Sequence, residues 1–283
     1  MGEAAKRRTS AECLVHDYEA LFEPLTSGFC EALVDLAGGV GADDRVIDVA
    51  AGTGALSLPV ARTGASLLAC DISPAAVQRL SDKLQPHANA ETRVLDGEAL
   101  DLPDESFDVA FSAFGVMLFP DFRAGLGELA RVTRPGGRVG IVVWARPEGS
   151  PAAGPFRAAY SAAFPDRPLP PFVPGTAALS DPAVLKQELE TAGCVAVHVR
   201  SAEYPWTVPT SEWVGENTER IFRDHPLWAA LSNGDRERLR GSLLAEVRAT
   251  GGRVILARAW LAVARKPQRG LDTSALATRA GTR

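Results

Sequence analysis

Three features of the sequence predict a doubly wound α/β fold. Short apolar runs alternate with helical stretches through residues 46–145, the first run stops at a Gly-Thr-Gly turn, and the second ends on a lone acid, Asp71. Such alternation builds parallel strands joined by right-handed crossovers, with helices on both faces. The expected architecture is a Rossmann-like, mostly parallel sheet of seven strands, with a helical cap formed by two insertions.

The elements follow in order. Residues 1–45 carry apolar side chains at helical spacing, Tyr18, Leu21, Phe22 and Leu25, then Phe29, Leu33 and Leu36. A buried strand over residues 46–50 enters the turn Gly52-Thr53-Gly54, and a helix follows over residues 55–61 with Pro59 in its first turn. The second strand, Ser66 to Cys70, leads to Asp71 and to a helix capped by Ser73 with Pro74 behind it. Further strands are expected over 91–95, 107–111 and 138–144, with a helix over 122–132 closed by Arg134-Pro135-Gly136-Gly137. Prolines then punctuate residues 146–178, read as a first cap insertion, and 179–204 returns to the core with a sixth strand at 195–199. Residues 205–252 form the second cap insertion, 253–267 hold the last strand, and 268–283 read as a frayed tail.

Composition narrows the function. Thirty Lys and Arg against 35 Asp and Glu give a net charge of −5, which offers nucleic acid no attraction. Cys13, Cys30, Cys70 and Cys194 stand far apart with no CxxC pair, so neither a zinc site nor a redox dithiol is expected. No signal peptide follows Lys6-Arg7-Arg8, and the longest apolar run, Val109 to Phe119, falls short of the ~20 residues a bilayer span needs. The expectation is a cytoplasmic protein with a small-molecule substrate, no nucleic-acid or membrane partner, no metal, and room for a homo-oligomer.

Ligands of open α/β sheets bind at the carboxyl ends of the strands. Asp48, Ala50 and the glycine turn lie at that end of the first strand, and Asp71 at that end of the second, where a carboxylate suits a ribose diol. A pyrophosphate-bearing dinucleotide fits poorly. The third glycine of G-x-G-x-x-G is replaced by Ser57, and Asp48 would repel a pyrophosphate but pair with an ammonium.

The motifs Val46-Ile47-Asp48-Val49-Ala50-Ala51-Gly52-Thr53-Gly54, Cys70-Asp71-Ile72-Ser73 and Asp96-Gly97-Glu98-Ala99 resemble those of class I S-adenosylmethionine-dependent methyltransferases. Ser106-Phe107-Asp108-Val109, Phe114-Gly115-Val116-Met117 and Leu129 to Gly137 add to the likeness, which covers about residues 14–145 and points to the small-molecule branch with the ubiquinone/menaquinone-type enzymes. The departure is Ala50, where many relatives have glycine. The resemblance implies S-adenosyl-L-methionine as cofactor and S-adenosyl-L-homocysteine as product. It implies that Gly52, Thr53 and Gly54 hold the methionine end, with Asp48 towards its amino group, Asp71 on the ribose and Ile72 on the adenine. Asp96, Gly97 and Glu98 would edge the adenine, Ser112 would border the methionine moiety, and Tyr18 would close over the cofactor.

For the acceptor, Phe114, Met117, Tyr160, Trp206, Trp213 and Trp228 are the candidate contacts, although most cap rings are expected to pack the cap's own core. The reading is methyl transfer by in-line displacement to a moderately apolar secondary metabolite, aromatic or indole-like, with a carbon or nitrogen acceptor favoured. One alternative is an O-methyltransferase in which His16 or His225 serves as general base. Another is a non-catalytic nucleotide-binding module of the same fold.

Overall fold

The computed structural model describes residues 10–206, 217–220, 222, 226–249 and 255–268. Its centre is a seven-stranded sheet: β1 (Arg45–Val49), β2 (Ser66–Asp71), β3 (Ala90–Val94), β4 (Phe107–Ala113), β5 (Thr133–Trp144), β6 (Val195–Trp206) and β7 (Ile255–Arg265). The order across the sheet is β3-β2-β1-β4-β5-β7-β6. β1 to β5 pair in parallel, and β7 runs antiparallel to both β5 and β6. The expected mostly parallel, doubly wound architecture is therefore present. The chain reverses its direction across the sheet between β3 and β4, and the carboxyl ends of β1 and β4 open there onto the site.

Eight helices precede β6: α1 (Ser10–Leu21), α2 (Glu23–Leu36), α3 (Ser57–Arg62), α4 (Pro74–Leu84), α5 (Phe122–Val132), α6 (Ala153–Ala163), α7 (Pro174–Leu179) and α8 (Pro182–Thr191). The long helix α9 (Asn233–Ala249) follows it. Local chemistry fixes several starts. The Ser73 hydroxyl accepts from the Ala76 amide at 3.3 Å, and the Asp121 carboxylate accepts from Arg123 and Ala124 at 3.1 Å each. Pro59 falls in the first turn of α3, where its missing N–H costs no hydrogen bond. α2 buries Leu25, Phe29, Cys30 and Leu33 and packs on β5, β6 and β7.

Three boundaries differ from the sequence reading. β6 extends to Trp206, not Val199, because its pairing with β7 runs on to Trp206 opposite Ile255, with the inward side chains shifting by one residue after Arg200 to Ala202, Tyr204 and Trp206. As the outermost strand it has one unpaired edge, so Pro205 is tolerated, and the second insertion begins after Trp206 rather than at 205. Residues 134–137 are not a closing turn but the start of β5, whose register against β4 shifts between Phe107 and Val109. The first insertion is also not one unit. α6 packs in a second apolar cluster with Phe222, Trp228 and Leu239, whereas α7 docks on the main core: Leu179 is fully buried there, and the Thr176 hydroxyl donates to the Met117 carbonyl at 3.2 Å.

Two apolar cores result. The main one surrounds the sheet, and the second joins Phe156, Tyr160 and Phe164 of the first insertion to Phe222, Trp228, Leu239 and Leu243 of the second. Trp206 packs against both. The expected start of the last strand at 253 and the tail beyond 268 lie outside the described residues.

Candidate functional site

The site begins where β1 runs out. Ala50, Gly52 and Gly54 all take positive φ, at 60°, 55° and 99°. Glycine adopts that region freely, whereas for Ala50 it costs about 1–2 kcal/mol. The Ala50 methyl fits because residue 115 is glycine: a Cβ there would stand 2.4 Å from it. At Gly54 a Cβ would meet Leu80 at 2.5 Å, so the turn and α4 close together only without a side chain.

Asp71 fastens this turn to the second strand. One of its carboxylate oxygens accepts from the Gly52 amide and the other from the Ser73 amide, each at 2.9 Å. Each oxygen keeps a further acceptor position. The Thr53 hydroxyl donates to Glu23 at the start of α2, and Lys83 of α4 donates to both oxygens of the same carboxylate at 2.7 and 2.9 Å. Glu19 of α1 pairs with Arg79 of α4 through two bonds of 2.8 Å. The glycine turn is thus held from two helices.

Asp48 lies beneath the turn and is only 1% exposed. One oxygen accepts from the Ser57 hydroxyl at 2.6 Å; the other, Oδ1, is buried with no hydrogen-bond partner. Burial pushes its carboxyl up to about 7, and the charge of Asp71 adds to the rise while the Ser57 bond opposes it. Burial likewise pushes the Tyr18 hydroxyl up to about 12 and raises the Cys30 thiol. These groups share a pocket lined by Tyr18, Thr26, Cys30, Asp48, Ala50 and Gly52 on one side and Ala113 and Phe114 on the other. Its closed part holds about 30 Å³, room for one or two waters. Tyr18 roofs it: the ring lies against Gly52, its outer edge exposed and its hydroxyl end enclosed.

The other sequence-derived candidates divide into groups. Ile72, next to Asp71, has 68% of its surface exposed, an apolar side chain with little to pack against. Asp96 accepts from the Glu98 amide at 2.9 Å, Glu98 accepts from the Asp121 amide at 2.7 Å, and Gly97 leaves room for Phe119, to which a Cβ would come within 2.5 Å. The buried Ser112 hydroxyl accepts from the Val116 amide at 3.1 Å, so it braces the loop after β4 and does not line the pocket. Phe114, at φ 59°, lies 4.1 Å from the Trp144 ring and edge-on to Phe29.

Met117 belongs to the main core, and Tyr160 and Trp228 to the cap core, so these three pack the fold and do not face the pocket. Trp206 stacks on Phe22, which stacks on Tyr18, at centroid distances of 6.3 and 5.9 Å. His16 is exposed on α1, while His225 and Trp213 lie outside the described residues. The sequence reading missed Glu23, Thr26, Cys30, Ser57 and Trp144. Ser57 alone left a trace, a hydroxyl where a third glycine would stand.

Together the strand order, the positive-φ turn and the acid closing β2 define a doubly wound, Rossmann-like fold with a ligand turn at the carboxyl end of β1. Residues 47–141 match the family model described as Methyltransferase domain. An uncharacterized protein of Mycobacterium tuberculosis is 40% identical over 129 residues, 45% of this chain and 47% of the relative. A demethylmenaquinone methyltransferase of Corynebacterium efficiens is 38% identical over 104 residues, 37% of this chain and 43% of the relative. The match spans about half the length of these curated relatives. Among solved structures, a Haemonchus contortus phosphoethanolamine N-methyltransferase, in complex with phosphomonomethylethanolamine and S-adenosylhomocysteine, superposes with a TM-score of 0.54 at 17% identity, covering 90% of this chain and 57% of that one. At that identity the likeness is one of fold. Among the described residues no group of three or more His, Cys, Asp or Glu could hold a metal, and no helix is long and apolar enough to cross a membrane.

Proposed function

We propose that this chain binds S-adenosyl-L-methionine and transfers its methyl group to a small, moderately apolar acceptor. The observation that carries this is the orphaned Asp48 Oδ1 in a pocket beside a glycine turn, an acceptor suited to an ammonium. The remaining groups fit the rest of that cofactor. The free acceptor positions of Asp71 suit a ribose diol, and the bare Ile72 side chain and Asp96 suit the flat face and the amine edge of a base. The backbone of the Gly52–Gly54 turn would line the amino-acid end, with the Gly52 amide already held by Asp71 and the Gly54 amide by the Ala51 carbonyl. The pocket is smaller than an amino-acid tail, so admitting one would require the Tyr18 ring that covers it to move.

The cofactor supplies an electrophilic methyl on a sulfonium, and S-adenosyl-L-homocysteine is what remains. The chain's own work is to hold an acceptor in line and dry, which can account for up to about 7–11 kcal/mol of the barrier. Phe114, backed by Trp144 and Phe29, gives the pocket an apolar aromatic wall, and Trp206 continues it through Phe22 and Tyr18. These rings favour an aromatic or indole-like acceptor and can stabilise positive charge that develops on it. Among the described residues the pocket lining includes no histidine and His16 is exposed on α1, so we adopt a carbon or nitrogen nucleophile that needs no base.

Titration calorimetry tests the cofactor. S-adenosylhomocysteine should give a binding isotherm, and NAD and NADP should give none; the reverse would end this reading. His16→Ala should lower kcat less than tenfold, because the side chain is exposed on α1. A loss of about 10²-fold with cofactor affinity unchanged would make His16 a general base and the acceptor a hydroxyl.

A further inference from the structure

We infer that Asp48 exchanges a proton for the ammonium of an amino-acid-tailed nucleoside, so that this site takes up its ligand with release of one proton to solvent. The inference rests on the cofactor reading above and adds to it how the charge is accommodated. In the ligand-free site the carboxyl holds its proton; when the ligand's ammonium arrives, the O–H bond breaks, the proton leaves to water, and the carboxylate pairs with the ammonium, which stays charged.

The geometry points to such an exchange because, among the described residues, no cation neutralises Asp48. α1 contributes Tyr18, α2 contributes Thr26 and Cys30, and α3 contributes Ser57. From β2 come Cys70 and Asp71, and the register partners of Asp48 itself are Ala69 and Phe111. None of these is a cation. Three are weak acids, Tyr18, Cys30 and Cys70, one is a second carboxylate, and no ion pair to Asp48 occurs among the described residues. Of the α4 cations, Lys83 is committed to Glu23 at 2.7 Å and Arg79 to Glu19 at 2.8 Å. An ionised Asp48 with an unsatisfied buried oxygen would therefore be both desolvated and repelled by Asp71. A neutral carboxyl avoids that cost, and burial accordingly holds the group up to about 7. An ammonium in hydrogen-bond reach reverses the balance, and affinity then depends on the fraction of Asp48 already ionised.

The sign of the linkage follows. The folded, ligand-free carboxyl titrates above its unfolded value of 3.8, so the ligand-free protein loses stability as pH rises from about 4 to about 7 and no further above that. Binding runs the other way and strengthens over the same range.

The test is calorimetry on the full chain with S-adenosylhomocysteine at pH 6 and pH 8, each in two buffers of different ionisation enthalpy. The expected result is close to one proton released per ligand at pH 6, almost none at pH 8, and an affinity about tenfold weaker at the lower pH. 5′-Methylthioadenosine, which lacks the amino-acid tail, should bind with no such release and with affinity flat in pH. Asp48→Asn, nearly isosteric and able to keep the Ser57 bond, should bind S-adenosylhomocysteine more weakly and without proton release. Binding of S-adenosylhomocysteine to the wild-type protein with no proton release and flat affinity overturns the inference but leaves the cofactor reading intact. Equal release with 5′-methylthioadenosine also overturns it, since the proton then comes from elsewhere. No binding of S-adenosylhomocysteine at either pH overturns the cofactor reading, and the inference with it.

Discussion

Replacing Asp71 with alanine is expected to weaken S-adenosylhomocysteine binding about 100-fold while the protein stays folded. Its two oxygens accept from the Gly52 and Ser73 amides, so the side chain already shapes the turn before any ligand arrives. The variant loses two things together: the fixed position of the Gly52 amide and the acceptors for a ribose diol. A hydrogen bond to a charged group contributes about 1.5–3 kcal/mol, and about 3 kcal/mol in all corresponds to roughly two decades of affinity. Asp71→Asn should fall between, because its amide keeps one acceptor oxygen but turns its NH₂ towards a backbone N–H. Calorimetry gives the affinities, and circular dichroism on heating separates a binding defect from an unfolded chain. Wild-type affinity in Asp71→Ala would remove the ribose role and leave only the turn.

Much of this site was legible because it is local. A strand, a turn that needs positive φ and an acid seventeen residues after the turn sit close in sequence, and each residue type states its own requirement. The helix start at Ser73 was legible for the same reason, since a cap is decided within three residues. What stayed hidden comes from distant parts of the chain. Glu23 reaches Thr53 across 30 residues and Lys83 across 60, and nothing in either segment announces the other. Cys30 and Thr26 reach the pocket only because α2 packs on the antiparallel end of the sheet. Aromatic side chains misled for a related reason. A large ring in an insertion reads the same whether it faces a ligand or a neighbouring helix, and Tyr160 and Trp228 face helices. The extent of β6 was concealed by Pro205, which excludes a central strand but not an outer one.

The cap should be separable from the cofactor site, and Trp228→Ala is the change that tells them apart. Trp228 is 1% exposed in a core that draws on both insertions, beside Phe156, Phe222, Leu239 and Leu243. Truncating a buried tryptophan costs about 3–5 kcal/mol, a large share of what so small a satellite core can supply. The fully buried side chains of this core are distinct from those around the sheet; described links between the two parts include the half-buried Trp206 and the Asp17–Arg220 pair at 2.8 Å. Deleting the whole first insertion would confuse the result, since α7 within it packs on the main core. With Trp228→Ala, methyl transfer should therefore fall by tenfold or more, while S-adenosylhomocysteine still binds within about threefold of wild type. Hydrogen exchange should quicken across α6 and α9 and stay slow in β1, β4 and β5. If cofactor affinity collapses in step with turnover, the cap is part of the cofactor site itself, acting through α1 and the Tyr18–Phe22–Trp206 stack, and the division of labour between sheet and cap fails.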